Sequence, residues 1–470
     1  MKRSLTANDT VKRSPTANDT VKRNLTAKET VTITSMLFGM FFGAGNLIFP
    51  AKMGIDAGSN LWSAFFGVFI TAVGIPMLAV VALGLSRCEG VVPLANKIGK
   101  KYSTFFCCLL YLTIGPLFAI PRCASTSFSV GAVGLVGQEH SALYLALFSL
   151  LFFAVVLAFS LKPSGIMTWI GKLLNPVFLA FLFALVIAAL IHPVDRIADV
   201  VPAAKYATQG DAFFSGFLEG YNTLDALAGL AFGIVVVNVL RETGIKQPER
   251  VAANTAKAGI FSCLFMGVIY FFITLICAQS ASLCAECENG GEVLGVIARY
   301  YFHSVGAYLT AAIVTFACLK TAIGLVTSCS EAFVQMFPQG PKYSVWAIIF
   351  CLVSFGIANF GLSTIVAWCV PVLMFIYPLA ITLILLALTD KWFGGDKIVY
   401  ISTTAFTLVA ATLDFLGTLA GMIPQSAALA AVKDFCIRFL PLFDLGMGWI
   451  VPACIGAVIG LAVSFSKKSN

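Results

Sequence analysis

Apolar runs of about twenty residues, each long enough to cross a bilayer core, recur from residue 31 to residue 466. That recurrence constrains the chain more than any single motif in it. A water-soluble core stops growing near about 250–300 residues, and soluble domains carry about 25% charged residues. Here 59% of the 470 residues are apolar and 11% are charged. In lipid every backbone polar group must be satisfied internally, which leaves helices as the spanning elements. The chain is therefore read as an all-α polytopic membrane protein.

The pattern predicts about 12 transmembrane helices, at 31–55, 61–86, 103–136, 142–160, 168–191, 213–240, 256–280, 293–330, 344–359, 361–389, 398–417 and 446–466. Five of them (31–55, 103–136, 213–240, 293–330 and 361–389) exceed the minimum length, so tilts, kinks or breaks are expected there. Residues 1–30 are polar, run straight into the first span and are expected to include no cleaved leader. Cytoplasmic loops carry an excess of Lys and Arg. With the N-terminus inside, the predicted outer segments hold only Arg196, Lys205, Lys433 and Arg438, with Lys52 and Arg299 at outer span ends. Arg122 and Lys320 lie within spans. An even number of spans returns Lys467 and Lys468 to the cytoplasm. The net charge of +8 then follows from topology, and no nucleic-acid partner is implied.

Residues 1–30 are a decapeptide written three times, MKRSLTANDT, VKRSPTANDT and VKRNLTAKET. Such a tail is too polar to pack and reads as a disordered cytoplasmic segment. It either touches anionic membrane lipid or is a tandem duplication that serves topology. Most of the fourteen cysteines fall within spans, where Cys acts as a small apolar residue. Cys284 and Cys287 lie in an outer loop, where a disulfide is open to them if that compartment is oxidising.

Spans 1–5 (31–191) and 6–10 (213–389) form two sets of five, and an odd number inverts the second set relative to the first. Two further spans (398–466) follow. Each set opens on a span that is weak in its middle. In the first it is Gly43-Ala44-Gly45-Asn46; in the second it is Asp225, Ala226, Ala228 and Gly229. Each Gly costs a helix roughly 1 kcal/mol relative to Ala, and non-helical backbone at mid-membrane is tolerated only where it is buried or lines a cavity. Matched interruptions in two halves point to a substrate site between them; single Gly clusters also serve close helix packing.

The chemistry suits a small neutral amino acid. A half-helix beginning near Asn46 offers unpaired N–H groups and a positive dipole end to a carboxylate. Freed carbonyls around 225–229 can accept from an ammonium group. Asp225 either adds charge at that amine end or caps the broken helix. An enzyme is not indicated: His140, His192 and His303 are the only histidines and show no metal-binding spacing. Residues 165–172 imitate a phosphate-binding loop but with five intervening residues and Leu173 where Ser or Thr belongs. A channel is disfavoured by the lack of a repeated filter motif. No resident cofactor or obligate protein partner is expected.

The segments FFGAGNLIFP (41–50), YLTIGPLFAIPR (111–122), LDALAGLAFGIVVVN (224–238) and ACLKTAIGL (317–325) resemble the bacterial branched-chain amino-acid carrier family. The resemblance covers roughly 31–466. It implies the inverted five-plus-five fold of leucine transporters, with discontinuous helices 1 and 6. It also implies import of leucine, isoleucine and valine by cation symport across the bacterial cytoplasmic membrane. Methionine or another neutral amino acid with H⁺ coupling is the alternative. By the same resemblance a coupling cation, Na⁺ or H⁺, meets the carbonyls of Gly39, Phe42 and Ala317 and the hydroxyl of Thr321.

Lys320 departs from that pattern, falling where a second hydroxyl ligand is expected. Three readings stand: the amine replaces the ion and its protonation couples transport to H⁺; it turns away to pair with Asp225 or Glu331; or the register is off by one and it snorkels. Arg122 either lines the pathway or braces span 3 through carbonyls. Ser129-Val130 stands where family members often carry an acid, so no acid role is assigned to span 3.

Overall fold

The computed structural model describes residues 25–86, 88, 90–131, 141–161, 175–245 and 247–469. The first twenty-four residues of the decapeptide repeats, His140, the ends of the predicted third and fifth spans and the stretch 165–172 lie outside the described residues. Every described element is helical. Eighteen α-helices serve as reference: α1 (Ala27–Phe41), α2 (Ala44–Ala57), α3 (Leu61–Phe69), α4 (Ile75–Leu85), α5 (Val91–Ala95), α6 (Lys100–Leu112), α7 (Ala119–Gly131), α8 (Ser141–Ser160), α9 (Asn175–Ile191), α10 (Gln209–Asn222), α11 (Asp225–Glu242), α12 (Pro248–Ala278), α13 (Gly290–Met336), α14 (Tyr343–Ala358), α15 (Leu362–Phe393), α16 (Lys397–Met422), α17 (Ala427–Phe439) and α18 (Ile450–Ser469).

Each predicted span falls on a helix or on a pair of shorter helices in sequence. By length and apolarity alone, eight described stretches can cross a membrane, or up to nine when a bent pair counts as one span. The expected twelve is not reached on that measure, because a break divides the first span into α1 and α2, and because α14 and the described part of α9 are short. The first helix begins at Ala27, inside the third decapeptide. Thr26 and Glu29 form a reciprocal capping box there, which satisfies amide groups that a helix start leaves open. Residues 27–30, expected within the tail, are thus part of α1. Helix α17, between the predicted eleventh and twelfth spans, was expected as loop.

The pairing of helices reflects the two halves. Span 1 packs on span 6 (α1 on α11, α2 on α10), span 2 on span 7 (α4 on α12), and span 3 on span 8 (α7 on α13). Close approach is achieved with glycine. A Cβ on Gly67 would lie 2.1 Å from the Phe213 carbonyl, and one on Gly216 would lie 2.1 Å from the Ala64 carbonyl. Helices α3 and α10 thus touch backbone to backbone, as small residues permit in lipid. Large apolar side chains such as Leu151, Val409 and Phe465 stay exposed on the outside of the bundle, where hydrocarbon replaces water as solvent.

Span 3 is not one regular helix. Between α6 and α7 the backbone widens into a π-turn over Thr113–Leu117, with Gly115 at φ −96°, ψ −125° and Pro116 following. Proline removes an amide donor and disfavours the helical conformation before it. π-Turns of this kind often mark functional sites. The turn re-aims α7 so that Arg122 faces the centre of the bundle. Helix α13 is also bent, at His303 (φ 54°, ψ −145°).

Candidate functional site

The first break is short. Phe42 is extended (φ −76°, ψ 96°) and Gly43 follows at φ −129°, ψ −156°. Gly43 N–H donates to Asn46 Oδ1 at 2.8 Å instead of turning back to Gly39, so the helix stops and restarts around one side chain. Thr321 of α13 closes the other flank, donating to the Phe42 carbonyl at 3.3 Å. A Cβ on Gly43 would sit 2.8 Å from Thr321 Oγ1, and one on Gly45 would sit 2.7 Å from Arg122 Nη2. A side chain at either glycine would push on Thr321 or Arg122.

The second break lies at Thr223–Leu224, just before the Asp225–Gly229 stretch expected to carry it. Leu224 adopts the left-handed region (φ 65°, ψ 9°), at a cost of about 1–2 kcal/mol for a residue with a Cβ. Burial of its side chain offsets that cost. The Thr223 hydroxyl donates to the Gly220 carbonyl at 2.8 Å and ends α10. Ala226, Ala228 and Gly229 are regular helix. Of the three only Ala228 lines the central cavity. Gly229 instead packs on α4, where its Cβ would meet the Pro76 carbonyl at 3.1 Å. Ala226 and Gly229, expected at the substrate site, do not line this cavity.

Side chains tie the two breaks together. Asn46 Nδ2 lies 2.8 Å from each carboxylate oxygen of Asp225, and it also reaches the Tyr270 hydroxyl. Tyr270 of α12 donates to Asp225 Oδ2 at 2.6 Å. All three residues are buried. Asp225 is thus not the cap of its own helix, which has no side-chain cap. Tyr270 was not singled out in the sequence; nothing in its local setting, Val268-Ile269-Tyr270-Phe271-Phe272, separates it from other aromatic residues in spans.

Arg122 is held by a backbone carbonyl, as its bracing role requires. Nη1 donates to the Asn222 carbonyl at 2.7 Å, bracing the end of α10. The guanidinium lies 4.9 Å from the centre of the Phe49 ring, and its buried Nε has no hydrogen-bond partner. It also borders a central cavity of about 30 Å³ lined by Gly43, Ala44, Gly45, Asn46, Thr223, Asp225, Thr321 and, on the apolar side, by Met40, Ile114, Phe232 and Leu325. Its lining joins Arg122 and Asp225 with aliphatic and aromatic side chains. A space that size holds one or two waters, well below the ~300 Å³ of common ligand pockets. The helices are closed around it.

Of the proposed cation ligands, Phe42 and Thr321 are brought into contact. Ala317 stands one turn before Thr321 on α13, and Gly39 one turn before Gly43 on α1. Lys320 is 1% exposed, which removes the snorkelling reading. Its Nζ lies 5.7 Å from the centre of the Phe38 ring on α1, and it does not line the cavity. Cys284 and Cys287, like the other twelve cysteines, are free thiols.

Residues 26–467 match the branched-chain amino acid transport protein family. The branched-chain amino acid permease BrnQ of Lactobacillus delbrueckii subsp. lactis is 50% identical, over 93% of this chain and 97% of the relative. BraB of Bacillus subtilis is 38% identical over 94% and 97%, and BrnQ of Escherichia coli K12 is 35% identical over 92% and 94%. Among solved structures, Mhp1, a nucleobase-cation-symport-1 family transporter in a closed conformation with bromovinylhydantoin bound, superposes with a TM-score of 0.56. It is 13% identical and covers 92% of this chain and 91% of its own. A manganese transporter of Eremococcus coleocola superposes with a TM-score of 0.59 at 12% identity, covering 95% and 100%. At those identities the likeness shows the fold alone, that of the leucine-transporter type.

Proposed function

Because this chain belongs to the branched-chain amino acid transport protein family, we propose that it imports leucine, isoleucine and valine by cation symport. It is a multi-pass membrane transport protein and not an enzyme. The observation that carries the finer reading is the cavity where the two breaks meet, lined by a cation, an acid and aliphatic side chains together. The start of α2, where helix amides lack intrahelical acceptors, and the Arg122 guanidinium suit a carboxylate. Asp225 and the Thr223 carbonyl suit an ammonium group. Ile114, Phe232 and Leu325 suit a branched aliphatic side chain.

Transport then consists of alternate opening of the closed cavity to the two sides as the half-helices move, a mode that discontinuous helices support. The coupling cation sits where Phe42 and Thr321 meet, between α1 and α13. Entry is from the outside, with both termini in the cytoplasm of a bacterium, as the Lys and Arg distribution favours. One observation supports H⁺ as the ion instead of Na⁺: Lys320, fully buried, brings a permanent amine to the α1 side of this region. An apolar pocket separates one methylene by only about 1–3 kcal/mol, so methionine or another neutral amino acid competes for the site. Proteoliposome uptake of labelled leucine, with Na⁺ and H⁺ gradients imposed separately, tests cargo and ion together. Uptake of neither leucine nor methionine under either gradient contradicts the proposal.

A further inference from the structure

Away from the cavity, a second acid is buried in the bundle. Asp414 of α16 is 1% exposed, and neither carboxylate oxygen has a hydrogen-bond partner. It points at the turn before α18, where a Cβ on Gly448 would lie 2.9 Å from its Oδ1. That turn is tucked into the bundle: Phe443 packs against Gly417, one turn further along α16. Tyr221 of α10 faces the same region, its ring stacked on Tyr377 of α15 with centroids 4.1 Å apart. The Trp449 indole N–H is directed at the Tyr221 hydroxyl, and neither group reaches the Asp414 carboxylate. The acid itself is therefore left without a partner, where native interiors leave few such groups.

We propose that Asp414 is a proton-binding site that responds to the position of α10. A buried carboxylate without a cation is costly, and among the described residues no Lys or Arg acts on it. The titratable groups turned toward it are Tyr221 from α10, Tyr377 behind Tyr221 on α15, and Cys436 from α17; α18 presents none. When the Tyr221 hydroxyl donates to the carboxylate, the ionised form is held and the proton leaves to water on the side of residues 422–449. When α10 withdraws Tyr221, the proton returns. Na⁺ is a poorer occupant, because Trp449 offers only a donor and no cluster of three acidic, His or Cys groups exists among the described residues. The connection to the cavity is one residue long: Tyr221 precedes Asn222, whose carbonyl Arg122 holds.

This inference rests on the transport reading only in requiring α10 to move, so its first test needs no transport. In infrared difference spectra of substrate-free protein between acidic and alkaline pH, a protonated-carboxyl band is expected. It should be lost in Asp414→Asn and kept in Asp225→Asn. Tyr221→Phe, which removes one hydroxyl, should shift the pH at which the band disappears. In proteoliposomes Asp414→Asn should lose dependence on the pH of the 422–449 side. A band that is absent, or unchanged in Asp414→Asn, overturns the proposal. So does an Asp414→Asn protein whose pH profile is wild-type while its Na⁺ requirement changes.

Discussion

Asn46 Nδ2 stands 2.8 Å from both carboxylate oxygens of Asp225, so one amide side chain joins two helix breaks 179 residues apart in sequence. Its Oδ1 meanwhile accepts from Gly43 N–H. The side chain closes one break and ties it to the other. Any movement that separates α2 from α11 must release this contact.

Asn46→Ala leaves the Gly43 amide and the Asp225 carboxylate each short of a partner. A buried polar group left unsatisfied costs about 1–3 kcal/mol, and about 1.4 kcal/mol is tenfold in an equilibrium. Initial rates of leucine uptake are expected to fall roughly tenfold to a hundredfold. An unchanged rate in a well-folded variant contradicts the tie.

The two glycines of the first break are expected to separate by phenotype. Gly45→Ala pushes on the Arg122 guanidinium, 2.7 Å from the new Cβ, and should chiefly raise KM for leucine. Gly43→Ala pushes on Thr321, 2.8 Å away, and should chiefly raise the ion concentration for half-maximal uptake. Identical profiles for the two variants count against distinct cargo and ion subsites.

Lys320→Thr removes a buried amine that lies against Phe38 of α1. Uptake by the variant is expected to gain a dependence on Na⁺, with KM for leucine little changed. Ion titrations of wild type and variant compare this directly. Strict Na⁺ drive in the wild type counts against the amine as a substitute for the ion.

Cys284 lies in the loop between α12 and α13, where burial pushes its thiol up to about 12; burial raises Cys287 as well. A raised thiol value leaves little thiolate at neutral pH, and the thiolate is the reactive form. Alkylation by maleimide should be slow at pH 7 and quicken as pH rises toward 9, read by mass spectrometry. Rapid modification of Cys284 at pH 7 contradicts this packing.

The existence of two breaks was legible because Gly43, Gly45 and Asn46 carry strong local penalties against a helix. The second break was misplaced by one or two residues because its signal was Asp225 and Gly229, while the backbone turns at Leu224, a residue with no preference for the left-handed region. Gly229 shows why a glycine alone misleads: it serves contact with α4. Tyr270 and the Asn46–Asp225 tie depend on three helices meeting, which no local pattern encodes. Helix α17 escaped because Lys433, Asp434 and Arg438 interrupt its apolar residues, and it is too short to span.

The central claim is that one site at the crossing of the two breaks carries a branched-chain amino acid. Its most direct measurement is concentrative uptake of labelled leucine by purified protein in proteoliposomes, with unlabelled isoleucine and valine as competitors and Asp225→Asn beside the wild type. The account predicts uptake against a gradient, competition by both amino acids, and loss of uptake in folded Asp225→Asn. Leucine uptake that survives Asp225→Asn unchanged, or that isoleucine and valine do not inhibit, would contradict it.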